Sequence, residues 1–302
     1  MHTTTLATFF EISRTMCAAG VLIFLIALWA ARTDIAQGSG LDKIVALSNM
    51  CFAIPLAVFG ALHLARVDFV LPLVPKYMPG RLFWAYFVGF ALLSASLSIA
   101  TKILVRWSGL LLGIMMFAFV AMMDIWVARA HPGNRLGWTY VLRELAFGGG
   151  GWLFAGSAMR EADKKSNTVG RVLIAVGRVL VGMAAVFYGI QNFRYPLNVP
   201  GVPLEMMMPT WIPGRLLIGY VTAVILFVAG ACILLAQKTR MAATYLGTWI
   251  VLLVLLVYGP IMVVSLANPS TGVKVEGINY FADTLLFGGA VLAVASATAR
   301  RD

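Results

Sequence analysis

Nine stretches of roughly twenty apolar residues, joined by short connections that carry most of the charge, set the terms on which this chain can fold. About twenty such residues in a helix span the hydrocarbon core of a bilayer. The stretches run from Ser13 to Ala31, Val45 to Ala65, Leu82 to Thr101, Trp107 to Val127 and Trp138 to Met159. They continue from Val172 to Gln191, Leu216 to Ala236, Met241 to Val264 and Tyr280 to Ala297. This pattern predicts an all-α polytopic membrane protein with about nine transmembrane helices. Composition points the same way, because 61% hydrophobic and 12% charged residues leave too little polar surface to coat a water-soluble globule. Small residues from Ala27 to Ala31 give the first stretch the look of a cleavable signal, but its length favours a retained anchor.

The net charge of +11 is distributed between the apolar stretches rather than gathered in one block, so it reads as membrane topology and excludes a nucleic-acid partner. A small excess of Lys and Arg, concentrated at Lys102 to Arg106, Arg160 to Arg171 and Lys238 to Arg240, predicts a cytoplasmic C-terminus. Cys17, Cys51 and Cys232 fall singly inside apolar stretches, with neither CxxC nor disulfide spacing.

An internal repeat organises the rest. PKYMPGRLFWAY, from Pro75 to Tyr86, recurs as PTWIPGRLLIGY, from Pro209 to Tyr220, and the alignment continues without a gap through Arg106 and Arg240 to Gly113 and Gly247. Upstream, AVFGALHLAR (Ala57 to Arg66) matches AVFYGIQNFR (Ala185 to Arg194). Downstream, Tyr140, Phe147, Gly148 and Gly149 match Tyr280, Phe287, Gly288 and Gly289. Shared Pro, Gly and Arg positions exclude a chance likeness of two greasy segments. Residues 1–40 then form an extra N-terminal helix, 41–160 a first four-helix repeat and 161–302 a second. Four spans per copy make the repeats parallel, related by an axis along the membrane normal, with both PGR turns on the outer side.

The helix opening VGRVLVGMAAVFYGIQNF, from Val176 to Phe193, the PxWxPGR turn and the short basic hairpin that follows resemble the DoxX/DoxD family of membrane proteins. The resemblance covers the second copy almost fully. The first departs from it, with Met50 in the place of Arg178 and His63 in that of Gln191. The resemblance implies a four-helix fold. It also implies membership of quinone-linked systems: DoxD is a subunit of a thiosulfate:quinone oxidoreductase, some relatives associate with redox enzymes, and distant ones are cargo receptors or chaperones. The expectation is therefore a multi-pass protein of a bacterial-type inner membrane, serving a quinone-linked redox system whose catalytic centre belongs to a partner subunit. Quinone is its one expected cofactor, with no group covalently bound. A scaffold or chaperone is the alternative. A small-solute transporter fits less well, because the polar residues stop near one face.

Charge inside a span costs about 2.5 to 3.5 kcal/mol on insertion scales, so each instance requires a partner or a task. Arg178, Asp124, the Arg143 and Glu144 pair, and Asp283 are such instances. Arg178 suits either helix-end carbonyls or a ligand such as a quinone carbonyl. At the outer level lie His63, Arg66, Asp124, Arg143 and Glu144 in the first copy, and Gln191, Arg194, Tyr258 and Asp283 occupy comparable heights in the second, so each copy gathers polar groups beneath its PGR turn. One reading pairs Arg66 with Glu144 and Arg194 with Asp283 as inter-helix stitches. The other makes this level a polar pocket in which His63 or Glu144 takes a proton from a reduced quinone. Tyr77 and Trp211 suit an aromatic belt, and the insertion from Leu197 to Met208 is expected to lie on the bilayer or to contact a partner. No P-loop, paired-His haem pattern or metal-spaced Cys/His cluster occurs, and GGGG at Gly148 to Gly151 predicts close helix packing.

Overall fold

The computed structural model describes residues 3–162 and 168–298, with side chains from Ser13 onward. These residues form nine long helices: α1 Thr3–Gln37, α2 Ser48–Ala65, α3 Arg81–Thr101, α4 Val105–Ala130, α5 Arg135–Ala162, α6 Thr168–Arg194, α7 Arg215–Leu234, α8 Thr239–Leu266 and α9 Thr271–Ala297. Eight are long and apolar enough to cross a membrane, and the chain is a polytopic all-α membrane protein. The ninth, α5, has the length but carries Arg143 and Glu144 within it, and it is sheathed by other helices rather than lipid. The connection of α5 to α6, residues 163–167, lies outside the described residues.

The repeat seen in the sequence is reproduced in the backbone. Gly80 and Gly214 both adopt the left-handed conformation, at φ +63° and +65°, and each starts a helix. Lys102 and Leu104 have positive φ, as do Ala236 and Lys238 at the matching places in the second hairpin. Both α4 and α8 contain a single π-helical segment, Val120–Asp124 and Val254–Tyr258, again in register. Such bulges widen one turn and re-aim the side chains beyond it. The arginine after each turn repeats its task as well: Arg81 donates to the carbonyl of Val74 at 3.0 Å, and Arg215 to that of Met208 at 3.0 Å.

The two copies interlock. Helix α5, the fourth of copy one, packs along α6, the first of copy two, while α9 packs along α2. The fourth helices also touch each other across the centre. One hydrophobic core therefore runs through both copies, from Phe52, Leu56 and Phe154 to Tyr188, Phe287 and Leu292. Lipid offers no hydrophobic drive for helices to associate, so close packing has to supply it. The four consecutive glycines of α5 do this in four directions. A Cβ would strike Phe117 at Gly148, Gly177 at Gly149, Phe52 at Gly150 and the Gly109 carbonyl at Gly151. Of the most apolar window of α9, 89% is buried against 17% for α4, which places α9 at the centre and α4 at the lipid-facing edge.

Candidate functional site

The charged residues of α5 and α9 meet where the two fourth helices cross. Arg143 donates from Nε and Nη2 to Oε1 of Glu144, at 3.2 and 2.8 Å, and from Nη1 to Oδ2 of Asp283 at 3.3 Å. Its guanidinium also lies 5.0 Å from the ring centre of Tyr140. The Asp283 side chain is 7% exposed, Glu144 12% and Arg143 23%, so the group is buried without being sealed. Arg143 stands about 12 Å along α5 by the helical rise, well inside the span.

Asp124 and Tyr188 border this centre, and Gln191 follows Tyr188 one turn further along α6. Asp124, closing the π-segment of α4, lies within electrostatic reach of Arg143 and Glu144. Its Oδ2 is buried and has no hydrogen-bond partner. Tyr188 of α6 is fully buried, its ring set against Phe287 at 5.0 Å, and its hydroxyl is unpartnered within electrostatic reach of Arg143, Glu144 and Asp283. Gln191, three residues further on the same helix, buries an unpartnered Oε1. One guanidinium thus faces three carboxyl groups, with the Tyr188 hydroxyl beside them. Unpaired charge in such a medium is costly, so this arrangement suits groups that take up and release protons or accept hydrogen bonds from a ligand.

Other residues singled out from sequence lie elsewhere. Arg66 pairs with its neighbour Asp68 at 2.6 Å, not with Glu144, and Arg194 is exposed while Asp283 takes Arg143. The expected stitches fail because the fourth helices face each other, which brings Asp283 to Arg143, while Glu144 bonds the same arginine as its neighbour on α5. His63 donates from Nδ1 to the Phe59 carbonyl, 2.8 Å away, and its Cβ fills the notch left by Gly89 on α3. Arg178 holds the last carbonyls of α7, those of Ile233 and Leu234. In copy one the carbonyl matching Ile233 is that of Ile99, and Asn49 holds it at 3.0 Å. Gly177 matches Asn49, and a Cβ there would stand 2.4 Å from the Gly149 carbonyl oxygen, so the capping task moves to the next residue, Arg178.

The insertion from Leu197 to Met208 does not lie on the bilayer. It folds inward, burying Val199, Val202, Leu204 and Met208. Asn192 exchanges hydrogen bonds with both backbone groups of Gly201, at 3.0 and 3.2 Å, and Tyr258 donates to the Pro200 carbonyl at 2.7 Å. Met206 N–H donates to Tyr280 at 3.0 Å. Gly201, at φ +111°, would bring a Cβ to 3.4 Å from Thr284, the neighbour of Asp283. The apolar look of the segment was legible in sequence, but its inward course was not, because it depends on the remote hydrogen-bond partners Asn192, Tyr258 and Tyr280. An apolar groove of about 630 Å³, lined by Trp211, Gly259, Pro260, Val263 and Val264, contains none of the cluster residues. Among the described residues no three His, Cys, Asp or Glu side chains are placed to hold a metal ion.

The fold and the cluster define a multi-pass helical membrane protein with a buried, acid-rich centre between two interlocked repeats. No family model matches the chain, and neither a curated protein nor a solved structure is detectably similar to it.

Proposed function

We propose that this protein is a DoxX-like membrane subunit of a quinone-linked redox system, in which the acid-rich centre takes protons from a quinol. The observation that carries this reading is the ratio of one arginine to three carboxyl groups, buried within the span yet reachable at Arg143 and Glu144. Oxidation of a quinol releases two protons and two electrons. The carboxylates of Glu144 and Asp124 are the proton acceptors, and the electrons pass to the redox centre of a partner subunit. The chain sits in a bacterial-type inner membrane with its C-terminus in the cytoplasm and both PGR turns outside, following the distribution of Lys and Arg.

A scaffold for partner proteins is the second reading. It is favoured by how many cations serve the fold itself: Arg178, Arg81 and Arg215 hold backbone carbonyls, and Arg240 holds Asp42 and the end of α9. The test compares native membranes carrying wild type, Glu144→Gln or no copy of the protein. Quinol oxidation that falls in Glu144→Gln while partner levels stay constant supports the redox subunit. Unchanged oxidation in Glu144→Gln, with partner subunits depleted only when the whole protein is removed, supports the scaffold.

A further inference from the structure

Each copy of the repeat has a place beneath its PGR turn, bordered by the π-segment of the third helix and the early turns of the fourth. In copy two the chain itself fills it. The inward segment sets Pro200 against Tyr258 and Gly201 against Thr284. In copy one the matching residues are Asp124, in the position of Tyr258, and Glu144, in that of Thr284. The connection from Arg66 to Gly80 is six residues shorter than that from Arg194 to Gly214. It reaches α4 through Tyr77, whose hydroxyl donates to the Met122 carbonyl at 3.0 Å, and its buried Val70 turns toward Met16, Val58 and Val275. No backbone group from it satisfies Asp124 as Pro200 satisfies Tyr258.

The polar atoms left at this place are acceptors. Asp124 Oδ2 is buried and unpartnered, and both Arg143 bonds to Glu144 go to Oε1, none to Oε2. Tyr188, with no exposed surface, adds an unpartnered hydroxyl. Three carboxyl groups against one guanidinium repel an anion. A neutral molecule with hydroxyl donors suits them, and the apolar surroundings require the rest of it to be lipid-soluble.

We infer that copy one binds a lipid-soluble, hydroxyl-bearing molecule at this place, with its hydroxyls donating to Asp124 and Glu144 and its body standing where the inward segment stands in copy two. The inference rests on the proposed function for the identity of the molecule as a quinol. A glycerolipid such as a diacylglycerol offers the same hydroxyl chemistry. Copy two, closed by its own chain, has no such site.

Binding of decyl-ubiquinol and of dioctanoylglycerol to the full chain in nanodiscs decides the matter. Asp124→Asn removes the charged acceptor at constant shape, and Asp124→Tyr gives copy one the residue of copy two. Thermal unfolding of each variant reports on the fold. The quinol should bind wild type, weaken roughly tenfold or more in Asp124→Asn and Glu144→Gln, and be lost in Asp124→Tyr. Should Asp124→Tyr fail to fold, Asp124→Asn and Glu144→Gln carry the test. If only the glycerolipid shows this dependence, the site stands and the quinone-linked reading falls. If the quinol binds wild type and all variants alike, the site is overturned and the quinone-linked reading survives. Binding of neither probe to wild type overturns both.

Discussion

Arg143 and Asp283 occupy the same position in the two copies of the repeat, and they bind each other, Nη1 to Oδ2 at 3.3 Å. A two-fold arrangement brings equivalent positions together along its axis. Identical residues at this point would set like charges face to face inside the membrane. Divergence to Arg and Asp turns the clash into a bridge and makes the halves distinguishable, a register role for a buried ion pair.

Removing the cation should therefore cost more than removing the whole group. Arg143→Met strands Glu144 and Asp283 and should destabilise the protein by about 3 to 5 kcal/mol, the usual penalty for breaking a buried pair. The triple change Arg143→Met, Glu144→Gln, Asp283→Asn should recover most of that loss. Thermal unfolding in nanodiscs checks both, and equal losses in the single and triple variants would contradict the account.

The inward segment of copy two hangs on Asn192. Asn192→Ala leaves both backbone groups of Gly201 without partners in a buried place, at about 1 to 3 kcal/mol for each. Hydrogen exchange should rise across residues 199–204 while α2 and α3 stay protected. A uniform rise through the whole protein would mean that the segment is not a separable unit.

Much of the architecture was legible because apolar length and repeated Pro, Gly and Arg are local signals. Arg81 and Arg215 could be matched from the sequence alone, and the structure gives them the same carbonyl to hold. The partner of Asp283 was not legible. Height along a helix can be counted from sequence, but which helices face each other is set by the exchange that packs α5 on α6 and α9 on α2. That exchange depends on contacts such as Gly289 against Cys51 and Phe52, and a glycine in the sequence does not announce its partner. The inversion of Arg143 into Asp283 was visible in the alignment of Tyr140 with Tyr280, and it is the signal that would have found the pair.

Arg66 and Asp68 lie beyond the end of α2, and their bond holds the Asp68 carboxyl below the usual carboxylate range. A depressed carboxyl pKa stabilises the fold above the unfolded value, and the gain is lost as pH falls through the folded one. Asp68 is 56% exposed, so the gain at neutral pH should be within about 1 kcal/mol. Wild type should melt slightly above Asp68→Asn at pH 7, with the gap closing as pH falls below about 4. A gap that persists at pH 2 would assign it to something other than the ion pair.

Arg178 offers the clearest separation of fold from chemistry. Its guanidinium caps α7 at Ile233 and Leu234, the task that Asn49 performs for α3 at Ile99. Arg178→Met should therefore free those carbonyls and cost about 1.5 to 3 kcal/mol, the range for hydrogen bonds to a charged group. Arg178→Lys, keeping the charge but losing the planar fork, should fall between Met and wild type. Neither change should alter the affinity for a quinol once the comparison is made below the melting temperature. A variant that melts like wild type yet binds the quinol several-fold more weakly would move Arg178 from the frame of the protein into its binding site.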